Sequence, residues 1–155
     1  MQQELYLKEI TVAEIEVTYK SIIKPSLRPK VIGANGAYQL LLDTWDMSKI
    51  ELVEQFKVML LNRAHHVLGI CTLTSGSVTG TIADPKQVFS VALITNATYV
   101  ILAHNHPSGS ATPSNADVEL TARMKAAGEL LELKVLDHLI VTTDGFYSFA
   151  TEGTL

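Results

Sequence analysis

Along the first part of the chain, apolar and polar residues alternate within Glu4 to Tyr19, with Ile15, Val17 and Tyr19 opposed by Glu16, Thr18 and Lys20, the period of a half-buried strand. Ser21 to Lys30 loses that period, and Pro25 and Pro29 make it a loop. Ala37, Leu40, Leu41 and Trp45 then recur with helical spacing across Asn35 to Trp45, and the large indole anchors this helix on the core. Two apolar runs, Gln55 to Leu61 and Val67 to Thr74, are joined by the polar turn Asn62-Arg63-Ala64-His65 and predict an antiparallel hairpin. Ser75 to Gly80 reads as a Gly/Ser-rich loop. Asp84-Pro85 starts a helix that runs to Asn96, the carboxylate capping and Val88, Phe89, Ala92 and Leu93 forming its buried face.

The β-branched run Thr98 to Ala103 predicts a buried strand. After the turns at Pro107-Ser108-Gly109 and Thr112-Pro113, Ser114 to Leu131 places Val118, Thr121, Ala122, Met124 and Lys125 at helical spacing. Lys134 to Thr142 and Phe146 to Phe149 close the chain as a strand pair around Thr143-Asp144-Gly145. Alternation of β and α segments is the signature of an α/β domain.

Candidate chemistry changes this picture at one place. His104 and His106 sit at the carboxyl end of the Thr98 strand, and residues i and i+2 of a strand share a face, so both imidazoles can point at one metal while Asn105 turns away. Ser114 and Asp117 are i and i+3 at the helix end nearest those histidines. Two histidines and one aspartate leave the fourth tetrahedral position open, which separates a catalytic zinc site from a closed structural one. Ser-x-x-Asp is also a capping-box variant, and Pro-Ser-Gly is a common turn. The joint occurrence of the pairs favours the metal reading. His138 lies in the Lys134 strand, where Asp137-His138 reads as a structural pair ahead of any approach to the site.

These residues carry a resemblance. His104-x-His106 with Ser114 and Asp117 downstream resembles the JAMM motif of the JAB/MPN metalloproteases, and HNHPSG, TPSNAD, LLELKVLDHLIV and DGFYSFATEG are similar to the RadC-like branch of that superfamily, over about Glu51 to the C-terminus. The resemblance implies an α/β fold of the JAB/MPN (cytidine-deaminase-like) type. Its mixed central sheet is flanked by helices, with the Pro85–Asn96 and Ser114–Leu131 helices on opposite sides. It implies Zn2+ held by His104, His106 and Asp117, and hydrolysis of a peptide or isopeptide bond in a protein substrate. The general base comes from upstream of the histidine pair: aligning Glu54-Gln55-Phe56-Lys57-Val58 with the strand-opening segment of RadC-like proteins favours Glu54, with Glu51 in reserve. Ser114 is expected to help hold the oxyanion. Residues 1–48 are expected to be an accessory segment of strand, loop and helix, and 49–155 the RadC-like domain.

Composition narrows the function further. The 155 residues, 47% of them hydrophobic, suffice for one domain with its own core. A net charge of −4 and a pI near 5.7 lack the basic footprint that neutralises phosphates. Lys24, Arg28 and Lys30 are too few to make a nucleic-acid arm, and the helix-hairpin-helix of longer RadC-like proteins has no counterpart here. The DNA-repair label attached to RadC-like proteins keeps open a second class, a repair or mobile-element accessory protein using the domain as an interaction module without turnover. Tight nucleic-acid binding is not expected. Cys71 is the single cysteine, which excludes an internal disulfide and the Pro-Cys-x-x-Cys of zinc deaminases. Gly76 and Gly80 are not followed by the Lys-Ser/Thr of a phosphate-binding loop. Without a leader-like start or an apolar span, the expectation is a cytoplasmic protein with no membrane contact.

Overall fold

The computed structural model describes residues 13–77 and 83–155. After a short 3-10 turn, Pro25–Leu27, the elements in order are α1 (Gly33–Thr44), α2 (Met47–Ile50), β1 (Glu54–Leu61), β2 (Val67–Ser77), α3 (Pro85–Ile94), β3 (Tyr99–Asn105), α4 (Asn115–Leu130), β4 (Lys134–Val141) and β5 (Phe146–Ser148).

The strands form one five-stranded mixed sheet in the order β2-β1-β3-β4-β5, in which only β3 and β4 run parallel. The hairpin turn between β1 and β2 is made by Asn62, whose Oδ1 accepts the Ala64 and His66 N–H groups at 3.0 and 2.9 Å, and by His65 in the left-handed region at φ 64°. Strand β3 connects to its parallel neighbour β4 through α4, the crossover that parallel pairing requires.

Both faces of the sheet are apolar, so both need cover. Phe56, Val58 and Leu60 of β1 pack with Val100 and Leu102 of β3 against Val88, Phe89 and Ala92 of α3 and Met124 of α4. On the other face, Met59, Leu61, Ile101, Ala103, Leu139 and Val141 pack against Ala37, Tyr38 and Leu41 of α1, with Trp45 and Ile50 beside them. Each large side chain buried in this way stabilises the fold by about 1.5–3 kcal/mol.

Five expectations are corrected here. The helices α3 and α4 lie on the same face, and α1 supplies the opposite layer: a helix's pattern says that one side is buried, not which face of a sheet it covers. Within α4 the buried positions are Asp117, Thr121, Met124 and Gly128, while Val118 is exposed, because the polar Asp117 and Thr121 are drawn inward. Leu93 of α3 is likewise exposed. The strand expected over Glu4 to Tyr19 is absent from its described part, 13–19, where Ile15 and Val17 are 85% and 64% exposed. Alternation cannot supply a ladder partner, and only Tyr19 reaches back, its hydroxyl donating to the Leu68 carbonyl. The rest of that stretch lies outside the described residues. So does Val78 to Gly80 of the expected Ser75–Gly80 loop, whose start instead continues β2, with Ser75 and Ser77 paired to Gln55 and Glu54.

Candidate metal centre

Strand β3 ends on the face that packs against α4, and its last residues deliver the histidines there. His104 is in the ladder opposite Phe56, and His106 follows the strand's last residue. The chain turns away immediately: Gly109 takes φ 80° and its N–H bonds the His106 carbonyl at 3.0 Å. From the other side α4 presents Asp117 in its first turn, where the helix dipole favours a negative charge.

Donor groups of three residues converge. His104 Nε2 lies 3.0 Å from His106 Nε2 and 3.1 Å from Asp117 Oδ1, and His106 Nε2 lies 3.6 Å from Asp117 Oδ2. A tetrahedral ion with N and O ligands at about 2.0–2.1 Å needs donor separations of roughly 3.3 Å, so the group fits such an ion. His104, His106 and Asp117 are also the set of described acidic, histidine and cysteine residues close enough to share one ion.

The carboxylate is prepared for this. Burial pushes Asp117 up, but hydrogen bonds from His104 and His106 when those rings are charged, the charge of His104 and the Ser114 N–H outweigh it and hold the carboxyl well below the usual range. Asp117 Oδ2 accepts the Ser114 N–H and the Ser114 hydroxyl, both at 2.7 Å. The capping box is therefore real, and the Ser114 hydroxyl is engaged with Asp117 in this arrangement. His106 is raised, first by its hydrogen bond to Asp117, against burial, and also by the charge of Glu54. Its Nδ1 lies 2.7 Å from the Ser110 carbonyl, which can only accept, so Nδ1 carries a proton and Nε2 of the neutral ring is bare.

Glu54 opens β1, half-buried, two residues before the Phe56 that pairs with His104, and its charge acts on His106. Glu51 is exposed at the end of α2, where Oε1 accepts the Thr143 hydroxyl at 3.2 Å.

At two positions the sequence reading missed the role. Asn105, fully buried and turned away from the histidines, accepts the Gln55 N–H at 2.7 Å and donates to the Ile50 and Val53 carbonyls at 2.7 and 2.9 Å. It ties the segment carrying Glu54 to the strand carrying the histidines. Asn105→Ala removes all three bonds and is expected to cost about 2–4 kcal/mol, read as a lower urea midpoint at unchanged slope. A loss under about 1 kcal/mol would mean that other contacts hold this segment.

The second is His138. Its pairing with Asp137 is corrected: the Asp137 carboxylate accepts the His138 backbone N–H at 2.7 Å, the Ser148 hydroxyl at 2.6 Å and the Ala150 N–H at 3.0 Å, not the imidazole. The ring, 0% exposed, sits between Phe56 and Phe149, with Nε2 2.9 Å from His104 Nδ1 and Nδ1 2.6 Å from Thr121 Oγ1. Burial, then the nearby His104, push it well below the usual histidine range.

Comparison with known proteins covers this whole arrangement. The sequence profile of the RadC-like JAB domain matches residues 34–154, from α1 through β5. A UPF0758 protein of Flavobacterium johnsoniae is 47% identical over 100 residues, 64% of this chain and 44% of the relative. One from Thermosynechococcus vestitus is 44% identical over 127 residues, 82% of this chain and 46% of the relative. One from Desulfitobacterium hafniense is 33% identical over 144 residues, 92% of this chain and 62% of the relative. The chain thus spans about half the length of the curated relatives it matches. Since the matched region takes in the helix of one sheet face as well as every strand and the histidine and aspartate donors, the chain belongs to the RadC-like JAB domain family.

Proposed function

We propose that this chain is a zinc-dependent metallopeptidase of the JAMM type, hydrolysing a peptide or isopeptide bond in a protein substrate. The observation that carries this reading is the convergence of three donor atoms at ion-sharing distances, beside a carboxylate whose charge already acts on one of them. His104, His106 and Asp117 would hold the ion. When bound, zinc supplies Lewis acidity and brings the acidity of water into the neutral range. Glu54 accepts the proton of the attacking water and passes it to the leaving amine. Ser114 donates to the developing oxyanion, which requires its hydroxyl to rotate away from Asp117 Oδ2. Asn105 keeps the segment bearing Glu54 in register with the histidines.

A net charge of −4 supports weak, salt-sensitive nucleic-acid binding at most, and the lone Cys71 suits a cytoplasmic location. No helix among the described residues is long and apolar enough to cross a membrane.

The test is a hydrolysis screen on peptides, isopeptide-linked proteins and DNA, with zinc added or chelated. Zinc-dependent amide cleavage without DNA cleavage is expected. Metal-dependent nuclease turnover, or sequence-specific DNA binding at nanomolar level in physiological salt, would replace this reading with a nucleic-acid function.

A further inference from the structure

A histidine binds a metal through one nitrogen only if its proton sits on the other, so the partners of Nδ1 decide whether Nε2 is a ligand. For His106 the Ser110 carbonyl settles this directly. For His104 a longer chain of polar groups does so. It ends on the Asp117 main-chain carbonyl, which can only accept, at 2.6 Å from Thr121 Oγ1. With its one proton directed there, the Thr121 oxygen offers a lone pair to His138 Nδ1 at 2.6 Å, and that nitrogen bears the hydrogen. His138 Nε2 is then an acceptor facing His104 Nδ1 at 2.9 Å. His104 Nδ1 carries the proton, and His104 Nε2 faces His106 and Asp117 with a free lone pair.

We propose that His138 and Thr121 are positioning residues that hold His104 in its metal-binding tautomer and join the ligand on β3 to the ligand on α4 by a directed hydrogen-bond chain. The inference rests on reading the triad as a metal site. Neither residue reaches the converging donor atoms themselves. Phe56 and Phe149 wall the His138 ring, at centroid distances of 5.7 and 5.0 Å, so the fully buried ring is held in place. The chain leaves α4 at the carbonyl of Asp117, the residue whose carboxylate is the third donor, so a shift of either element is felt at both ligands.

The test is zinc affinity by competition with a chromophoric chelator, together with 15N NMR of the histidine rings. Thr121→Val keeps the shape and removes the hydroxyl; His138→Leu removes the acceptor; His138→Gln restores one through its amide oxygen. Thr121→Val and His138→Leu are expected to weaken zinc binding about 10–100-fold, with His138→Gln recovering part of the loss. The NMR spectrum of zinc-loaded wild type should show His104 and His138 each protonated at Nδ1. Wild-type affinity in both Thr121→Val and His138→Leu, or a proton on His138 Nε2, overturns the proposal. If wild type takes up no zinc, the metal reading falls instead, and the ring tautomers of the metal-free protein decide the hydrogen-bond direction by themselves.

Discussion

Glu54→Gln is expected to leave one zinc per chain bound while hydrolysis of a cleavable amide falls by roughly two to four orders of magnitude. Glutamine preserves the volume of the side chain and a hydrogen-bonding group but cannot accept the proton of an attacking water. The candidate ligands His104, His106 and Asp117 are untouched by the change, and its position at the first residue of β1 leaves the ladder intact. Zinc content by elemental analysis and turnover on the same preparation separate the roles. A structural glutamate would lose stability and metal along with activity, or would lose nothing. Glu51→Gln is the control, because its carboxylate accepts from Thr143 on the β4–β5 turn. If Glu51→Gln abolishes turnover and Glu54→Gln does not, the base has been misassigned. If neither lowers a measurable hydrolysis, a carboxylate-assisted mechanism is to be abandoned.

The double variant His104→Ala with His106→Ala is expected to abolish stoichiometric zinc, from about one ion per chain to background, because a single carboxylate cannot hold the ion alone. Undiminished zinc in that variant would remove the site from consideration. On the proposed reading, zinc and protons compete for the same ring nitrogens. Asp117 raises His106 above the ordinary histidine value, despite the opposing effect of burial, so His106 begins to take up a proton at a higher pH than a free histidine would. Zinc affinity is therefore expected to weaken on acidification from above the usual histidine range, and to level off above the raised value. A flat profile between pH 5 and 8, roughly the histidine window, would show that His106 is not a ligand.

Much of this molecule is written in short-range periods, and those were legible without coordinates. The β1–β2 hairpin, β3, α3, α4 and the β4–β5 pair follow from alternation, helical spacing and turn residues, because backbone geometry repeats every two residues in a strand and every 3.6 or so in a helix. The same geometry put His104 and His106 on one strand face, and Ser114 and Asp117 on one helix turn, before any contact was known. What tertiary structure alone decided is which faces meet. Nothing in the patterns of α3 and α4 said that they share a side of the sheet, or that α1 would cover the other. The alternation at Ile15 and Val17 had no edge to join in the described residues. His138 is the clearest case. Val135 faces the α3–α4 core, and a strict two-residue count from it would send His138 to the opposite face, away from His104. The pairing of β3 with β4 slips by one residue, Val100 opposite Val135 but Ile101 opposite Asp137, and this irregularity turns His138 onto the side of His104. Thr121 and Asp117 are buried in place of the apolar Val118 for the same reason: the packing of α4 on a sheet that already presents a buried imidazole rewards polar partners there, and only the register of two strands distant in sequence determines that the imidazole is present.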